Sequence, residues 1–483
     1  MAKKRIALCL ALAIIGSFSG CISTGDSVQS SDSSQNNDYV ITRKFTPKEV
    51  YSITFEDAIG KDVMPVGTYS GPALEHEYKG KQIPSMVSKK YFDLYKEMGL
   101  NMFTASFFTD EDPAQAELFL DLCDEYNMAN FINLRELYGE NSAASITSEK
   151  INTAFEPYVG HKSVVGFYLR DEPNTTVIRS LSRTVRALEG SKHSDKLPYF
   201  NAHPITSTWA FTDSKEDSIT YEEYLRTMIE ELDAKYLSYD FYPFRADNEG
   251  NEYFNERYIE NLSVAWELAK EYKIPIWTYK QAGCLSESSP LSMLIKQPNE
   301  DQFRWHITID LAYGVKGITY FLLLGSHLGY DSQPTYEEGM DAYFGLFNGY
   351  TGEPNVWFDY AKNFKGHLQL VDEVLMNSCN EGVIAHGDII GKNLMGDELI
   401  ETGYYRELKS VEGGDSIIGC FDYKGGTALY VTNNSYTNST AVALNFRDNY
   451  GYNIYQGTKK IFRTGEKVEL NLIPGEGVLI VLE

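Results

Sequence analysis

The chain has 483 residues, with 43 lysines and arginines against 68 aspartates and glutamates, and its formal net charge is −25 at pH 7. Such an acidic protein is poorly suited to bind nucleic acid or an anionic lipid surface, because both are themselves negatively charged. Its six cysteines are scattered, with no CxxC pair and no nearby histidine cluster, so we predict neither a disulfide framework, a metal site nor a cofactor.

The N-terminal segment has the features of an export signal. Three cations at positions 3–5 precede an apolar run at 6–15, and small residues then lead to Cys21. The run is too short to span a membrane comfortably, and small residues before a cysteine resemble the bacterial lipobox, in which that cysteine is lipidated. We expect residues 1–20 to be a lipoprotein signal peptide that leaves the protein anchored through Cys21 at the bacterial cell surface. Secretion without a lipid is the alternative.

The segment that follows Cys21 is rich in Ser, Asp, Asn and Gln up to about residue 39. A stretch of this composition cannot bury enough apolar surface to order itself. We therefore predict a flexible tether over residues 21–45, between a lipid anchor and a folded body.

From about residue 60 the chain alternates short apolar strands with amphipathic helices, with strand starts about 28 to 42 residues apart. Eight such units predict an α/β fold, a (β/α)8 TIM barrel over residues 46–378. A doubly wound open sheet is the alternative, but no glycine-rich dinucleotide fingerprint follows the first strand. The predicted strands are 63–68, 101–106, 129–134, 163–169, 198–203, 236–241, 274–279 and 316–323.

Polar side chains follow most of the predicted strands. The carboxyl ends of barrel strands share one rim, and catalytic groups of such folds lie there. A rim with carboxylates, tyrosines and amides but no cluster of lysines and arginines suits a polyhydroxylated substrate better than a phosphorylated one. The residues that we expect to bind substrate are Tyr69, Glu136, Asn201, His203, Tyr242, Tyr279, Gln281 and Tyr320.

The fourth predicted strand ends in Arg170-Asp171-Glu172-Pro173, where the proline stops the strand. Glycoside hydrolysis needs a proton donor for the leaving oxygen and a second group that handles the developing positive charge. We expect Glu172 to be the donor, with Asp171 and the apolar strand helping it to keep a proton near neutral pH. Asp171 could instead pair with Arg170 or cap a loop.

These residues carry a resemblance to known enzymes. Asp171-Glu172-Pro173 is similar to the Asn-Glu-Pro that ends the fourth strand of retaining clan A glycoside hydrolases, with Asp in place of Asn. The chain resembles in particular the β-galactosidase-like enzymes of family 42 and their bacterial lipoprotein relatives. The resemblance implies a glycosidase with Glu172 as its acid/base. The further segments that carry it are 304–305, 312–321, 344–353 and 472–479.

The seventh predicted strand departs from this pattern. Clan A enzymes carry a nucleophilic Glu at its tip, whereas this chain has Tyr279-Lys280-Gln281 there, with no carboxylate. Asp240 at the tip of the sixth strand is the best substitute, as a nucleophile or as the base of an inverting reaction. Its Tyr239-Asp240 pair also resembles family 18 chitinase-like barrels, in which the acetamido group of the substrate attacks and Asp171 and Asp240 would assist. Asp240 could also simply bind a sugar hydroxyl.

After a helix predicted near 355–377, the chain shows short alternating runs and glycine- or asparagine-rich turns. This pattern predicts a small antiparallel β-sandwich over residues 379–483, with an accessory role. Its predicted strands include 417–422, 428–432, 440–445 and 477–482.

Two classes of function follow from these observations. The first is a surface-anchored glycoside hydrolase that acts on an extracellular oligo- or polysaccharide, with a substrate-assisted N-acetylhexosaminidase as one variant. The second is a non-catalytic carbohydrate-binding lipoprotein on a degenerate barrel, which the missing seventh-strand Glu favours. Trp277 and Trp305 could be sugar platforms, but their places inside a strand and a helix favour core packing.

Overall fold

The computed structural model describes residues 43–78, 81–104, 112–211, 218–247, 251–285, 297–325, 343–348, 351–387 and 404–483. The predicted signal peptide, Cys21 and nearly all of the predicted tether lie outside these ranges. The loops that follow the second and the eighth predicted strands also lie largely outside them.

Eight parallel strands form the central sheet, in the hydrogen-bonded order β5-β4-β3-β2-β1-β8-β7-β6. A bridge between Ala202 and Tyr239 joins the two ends of this order, so the sheet closes into a barrel. Each strand overlaps its predicted segment, and the (β/α)8 prediction is confirmed over the open-sheet alternative, because β1 pairs with both β2 and β8. The strands are β1 Val66–Thr68, β2 Met102–Phe103, β3 Ala129–Ile132, β4 Val164–Asp171, β5 Leu197–Asn201, β6 Leu237–Tyr239, β7 Ile276–Gln281 and β8 Gly317–Phe321.

Helices connect the barrel strands, and side-chain caps mark where several of them begin. Thr220 and Glu223 form a reciprocal capping box at the start of α7, and Asn299 and Gln302 do the same at α9. Within the described ranges, no helix is both long and apolar enough to cross a membrane. The helices are α1 Glu56–Ile59, α2 Lys89–Glu97, α3 Pro113–Tyr126, α4 Gly139–Ala143, α5 Ser148–Phe155, α6 Thr175–Glu189, α7 Tyr221–Glu231, α8 Arg257–Tyr272, α9 Glu300–Ala312 and α10 Val356–Met376.

The barrel interior is filled mainly by aromatic side chains, and a second apolar layer lies between the strands and the helices. Side chains of a strand alternate between these two layers. Trp277 and Tyr279 of β7 face inward, whereas Lys280 faces outward, where its ammonium pairs with Asp310 of α9. Trp277 and Trp305 are both core residues, at 1% and 2% exposure. The inward cluster comprises Phe55, Ala58, Ile59, Met102, Ala129, Phe131, Tyr168, Tyr199, Tyr236, Tyr242, Trp277 and Tyr279.

Short strand pairs extend from the loops of the barrel. One of them, Phe244–Ala246 with Glu252–Phe254, is an antiparallel hairpin directly after Tyr242 and Pro243. This hairpin contacts the tip of β7 through the Phe244 backbone. The other pairs are His76–Tyr78 with Lys81–Ile83, Cys284–Leu285 with Tyr343–Phe344, and Leu324–Gly325 with Phe347–Asn348.

The C-terminal region is an antiparallel sheet domain, as predicted, but its seven strands belong to one hydrogen-bonded sheet. Its order is β9-β11-β12-β15-β13-β10, with β14 also paired to β13. The strand β13 makes this possible because it is long and irregular between Asn445 and Tyr450, so its first half pairs with β10 and its second half with β15. The strands are β9 Ser378–His386, β10 Leu408–Gly413, β11 Ser416–Tyr423, β12 Gly426–Asn433, β13 Thr440–Gln456, β14 Lys459–Leu472 and β15 Gly477–Leu482.

This sheet packs closely on α9 of the barrel. Thr308 of α9 donates to the Gly475 carbonyl at 2.9 Å and accepts from Thr432 through its own carbonyl at 3.1 Å. A Cβ atom at Gly419 would lie 2.0 Å from the Ala312 carbonyl oxygen, so only glycine allows this approach. The barrel and the β-domain are therefore joined by close backbone contacts.

Candidate active site

Glu172 lies directly after β4 in a strained backbone conformation. Its φ is +43°, in the left-handed region that residues other than glycine rarely adopt. Its N–H donates to the Asn201 carbonyl at 2.9 Å, and two residues later the Asn174 side chain caps α6 by accepting from the Val177 N–H at 3.0 Å. Strain that the surrounding bonds hold in place is a feature of functional positions.

The side chain of Glu172 is accessible from solvent and has a raised pKa. It is 38% exposed, and its Oε1 lies 3.0 Å from Nδ1 of His203. Burial of the carboxyl, together with the charge of Asp171, raises the pKa of Glu172 to about 8. Glu172 therefore holds a proton at neutral pH while remaining open to a ligand.

Asp171 and Asp240 complete a group of three carboxyls with Glu172. Burial raises the pKa of Asp171, although hydrogen bonds with Tyr69 and Asn201 act in the opposite direction. Burial, and then the charges of Glu172 and Asp171, raise the pKa of Asp240 well above its usual range, and the residue is only 9% exposed. Since like charges this close disfavour one another, the three acids cannot all ionise together at neutral pH.

Asn201 at the tip of β5 orients this group. Its Nδ2 donates to Oδ1 of Asp240 at 3.3 Å, and its Oδ1 accepts from the Ser238 hydroxyl at 2.8 Å. Beneath it, the Tyr199 hydroxyl donates to the Tyr279 hydroxyl at 3.1 Å. Tyr279 is only 2% exposed, so the structure places it under the carboxyl group rather than at the surface of the site.

His203 ties the tips of β4 and β5 together. Its backbone N–H donates to the Tyr224 hydroxyl at 3.1 Å, and that hydroxyl donates to the Pro173 carbonyl at 2.9 Å. Burial lowers the pKa of His203, so its ring is neutral near pH 7. Its other face meets the indole of Trp209, with ring centroids 4.7 Å apart. Trp209 was not singled out from the sequence, because an isolated loop tryptophan gives no periodic signal.

Three aromatic rings line the other side of the site. The centroid of Phe321, at the end of β8, lies 5.6 Å from that of Tyr69 and 4.9 Å from that of Tyr242. Tyr69 also hydrogen-bonds Asp171, which links the aromatic side to the carboxyls. Phe321 was missed by the sequence analysis, which selected its neighbour Tyr320 instead.

The selection of Tyr320 as a substrate ligand is corrected by the structure. Tyr320 is fully buried and stacks on Phe303 of α9, with centroids 5.7 Å apart. It therefore belongs to the layer between strands and helices. The physical reason is strand alternation, which turns Phe321 toward the site when Tyr320 faces the helices.

Gln281 occupies the place of the absent seventh-strand carboxylate, and its contacts explain why the residue is an amide. Its Oε1 accepts from the Phe244 N–H at 3.2 Å, and its Nε2 donates to the Phe244 carbonyl at 2.9 Å. A carboxylate has no N–H to donate and could not make both bonds. Gln281 has no exposed surface. Its predicted role in binding stays a prediction, while the structure shows that it anchors the hairpin after Tyr242.

Glu136 is exposed in the turn that follows β3. Its predicted role in binding also stays a prediction, since no contact in the described structure joins it to Glu172, Asp171 or Asp240.

A group with metal-ligand spacing lies elsewhere. Among the described residues, Glu117, Asp121 and His161 place ligand atoms within 4.8 Å of one another. They lie on α3 and before β4, at the amino-terminal end of the barrel strands and therefore away from Glu172. Nδ1 of His161 is bound to Asp124 at 2.9 Å. Exposed acidic groups of this kind also occur without a metal, and the prediction of no metal remains a prediction.

Comparisons with known proteins add little to this geometry. No protein-family model matches the chain, and no curated protein does. Similar solved structures include an α-amylase from Geobacillus thermoleovorans (TM-score 0.45, 10% identity, 89% of this chain and 99% of that one). They also include a β-galactosidase from Marinomonas ef1 (TM-score 0.42, 12% identity, 65% of this chain and 62% of that one). A third is a β-glucosidase from Thermotoga maritima (TM-score 0.38, 12% identity, 60% of this chain and 87% of that one). The chain thus spans less than two thirds of that β-galactosidase. At such low scores the fold assignment rests on the strand order itself.

Proposed function

We propose that the protein is a glycoside hydrolase in which Glu172 protonates the leaving oxygen. The observation that carries this proposal is the accessible carboxyl of Glu172 directly after a barrel strand, 3.0 Å from Nδ1 of His203 and beside Asp171, where burial raises its pKa to about 8. General acids of this reaction need a raised pKa so that they hold a proton at working pH. The rings of Tyr69 and Phe321 are partly exposed and offer faces on which a sugar ring stacks, whereas Tyr242, predicted to bind substrate, is buried beside Phe321 at 7% exposure.

The absence of a carboxylate at the tip of β7 favours one variant of the mechanism. Retaining enzymes use a second carboxylate as the nucleophile. In clan A enzymes it lies at that tip, where this chain has Gln281. We therefore favour substrate assistance, in which the acetamido oxygen of an N-acetylated sugar attacks the anomeric carbon, and Asp240 and Asp171 stabilise the positive charge that develops on that group.

A hydrolysis screen tests the proposal. Wild-type protein would be incubated with aryl hexosides, aryl N-acetylhexosaminides, and plant, mucin and chitin-type glycans, with Glu172→Gln as the control that should lose activity on the glycans, whose leaving groups need protonation. Hydrolysis by the wild type alone supports a glycosidase. A preference for N-acetylated sugars, with inhibition by a thiazoline that mimics the cyclised acetamido intermediate, supports substrate assistance. Hydrolysis of non-acetylated sugars alone contradicts that variant but leaves the glycosidase proposal standing.

A non-catalytic carbohydrate-binding protein is the second candidate, and the contacts of Gln281 favour it. At the β7 tip, where clan A enzymes have their nucleophile, both the oxygen and the nitrogen of the Gln281 amide hydrogen-bond to the Phe244 backbone. Calorimetry with the same glycans separates the two candidates. Binding of an oligosaccharide with no release of sugar from any substrate of the screen would support the binding protein over the enzyme.

Replacing Asp240 with asparagine is expected to lower kcat by about 10²-fold or more, as loss of a positioned acid–base group does. The amide can neither carry a negative charge nor release a proton near neutral pH. Gln281→Ala should act mainly through KM, because it frees the hairpin that follows Tyr242 without removing a titratable group. Steady-state kinetics of both variants measure this contrast.

The matched variant for this contrast is Gln281→Glu. The new carboxylate would face the Phe244 carbonyl oxygen, which the amide now contacts at 2.9 Å, so we expect lower stability and no gain in rate. Full kcat in Asp240→Asn together with a faster Gln281→Glu would refute the assignment of Asp240. That outcome would indicate a barrel that has lost its nucleophile.

We also propose that the protein is held at the bacterial cell surface through a lipid on Cys21. The support is the sequence pattern of cations, a short apolar run, small residues and cysteine. Cys21→Ser should release the protein from the membrane fraction without a change in specific activity, since lipid attachment needs the thiol. Immunoblotting of membrane and soluble fractions measures this. A serine variant that stays with membranes would require a different anchor.

A further inference from the structure

Trp209 is unusual among the tryptophans of the chain because its indole is 67% exposed. The chain has five tryptophans, and the other four are 8% exposed or less. Trp209 lies in a single 3-10 turn, Thr208–Ala210, in the loop that follows β5. Exposure of so large an apolar surface next to a candidate active site indicates a contact surface for a ligand.

The loop around Trp209 is held in place, so this exposure belongs to a fixed surface. The carbonyl of Ala210 accepts from the Thr175 hydroxyl at 3.3 Å, and the ring of Phe211 packs on Tyr224 with centroids 4.8 Å apart. The Phe211 carbonyl also accepts from the Ile219 N–H at 2.8 Å. The two residues that follow the indole are therefore anchored to α6, to α7 and to the residue Ile219 that precedes α7.

The position of the indole relative to the acid defines its side of the site. Trp209 contacts His203, and Nδ1 of His203 lies 3.0 Å from Oε1 of Glu172, so one side chain separates the indole from the proton donor. In the aromatic pair on the other side of the site, Tyr69 follows β1 and Phe321 ends β8. In the strand order, β8 is four strands away from β4, on the opposite side of the barrel.

We propose that Trp209 is the stacking platform for the sugar ring on the leaving side of the scissile bond, which makes the substrate an oligo- or polysaccharide. This inference rests on the proposed glycosidase function. Glu172 gives its proton to the glycosidic oxygen as the bond from that oxygen to the anomeric carbon breaks. Water then supplies hydroxide to the anomeric carbon and a proton to Glu172. The departing sugar lies on the side of the acid, where the indole offers a face to its C–H groups.

The test compares two substrates of the same sugar, as identified by the screen. A disaccharide has a leaving ring that needs the platform, whereas the glycosyl fluoride has none. In Trp209→Ala we expect kcat/KM for the disaccharide to fall about 10- to 100-fold, as loss of an aromatic anchor does. The value for the fluoride should stay near that of the wild type. Trp209→Phe keeps an aromatic face, so its kcat/KM for the disaccharide should lie between those of the wild type and Trp209→Ala.

The matched control is Phe462→Ala, which removes another exposed aromatic ring, 51% exposed, from β14 of the C-terminal sheet. It should leave both substrates unaffected. If Trp209→Ala changes neither substrate, or lowers both equally, the platform is refuted while the glycosidase proposal stands. If the wild type hydrolyses no glycoside, the proposed function fails and the leaving-side assignment fails with it.

Discussion

Replacing Glu172 with glutamine is expected to lower kcat on substrates with poor leaving groups by about 10²–10⁴-fold, the usual loss for a general acid. Glutamine keeps the shape of the side chain and can still hydrogen-bond His203, whose Nδ1 lies 3.0 Å from the present Oε1. It has no acidic proton for the leaving oxygen. Steady-state rates on an unactivated disaccharide measure the loss. A near-normal rate on that substrate would remove Glu172 from the role of acid.

The same assignment predicts a pH dependence. Because the pKa of Glu172 is raised to about 8 by burial and by Asp171, the acid is protonated below that pH and loses its proton above it. The kcat/KM for a poor leaving group should therefore fall as the pH rises through about 8. An aryl glycoside with a good leaving group should show a weaker alkaline decline, because it needs less protonation. Comparing the two substrates separates the effect of Glu172 on the pH profile from the effects of groups that only bind the sugar.

Stability provides the folding control for Glu172→Gln. A carboxyl whose pKa is raised in the folded state binds a proton that the unfolded state has already released, so folding becomes less favourable as the pH rises from about 4.5 toward 8. Glutamine has no such penalty. The variant should unfold at the same or a higher temperature than the wild type at pH 8, as measured by calorimetry. A large drop in Tm would show that its loss of rate comes from misfolding.

Replacing Asp310 with leucine is expected to lower the free energy of unfolding by about 3–5 kcal/mol, because it leaves the Lys280 ammonium buried without its partner. Lys280 and Asp310 form an ion pair between β7 and α9, and both side chains are 1% exposed or less. The other carboxylate oxygen of Asp310 accepts from the Tyr258 hydroxyl. Urea denaturation of the variant and the wild type measures the difference.

The matched control is the double variant Lys280→Met and Asp310→Leu. Apolar side chains of similar size remove both charges at once, and replacement of a buried pair in this way is often neutral or stabilising. We expect the double variant to recover most of the lost stability, apart from the Tyr258 hydroxyl that it leaves unbonded. If the double variant is as unstable as Asp310→Leu alone, shape rather than charge explains the effect. Burial lowers the pKa of Lys280, so Asp310→Leu should also lose more stability at low pH.

The sequence predicted which strand ends meet at the rim. Glu172, Asn201 and Asp240 each lie at or just after the carboxyl end of one of three successive predicted strands, and the barrel brings these ends together. Consecutive parallel strands in a barrel are neighbours, so chain order was enough to place their tips side by side. The proline after Glu172 marked the end of its strand without any tertiary information.

Which side chains of an apolar strand face the site could not be predicted in the same way. The β8 strand is buried on both faces, and its alternating pattern does not distinguish inside from outside. Tyr320 was therefore chosen where Phe321 faces the site. For the same reason Tyr279 was expected at the surface of the site, whereas it lies beneath Asn201 and is only 2% exposed.

The sequence by itself determined the eight strand–helix units, the antiparallel C-terminal domain and the carboxyls at the tips of β4 and β6, since each depends on local periodicity and chain order. Only the tertiary structure decided the electrostatic coupling of Glu172 and Asp240, the hydrogen bonds of Gln281 to the Phe244 backbone and the place of Trp209 beside His203. The first two features join residues 68 and 37 positions apart. The third depends on how the loop after β5 turns back over the rim. Packing fixes such contacts, and no local pattern encodes them.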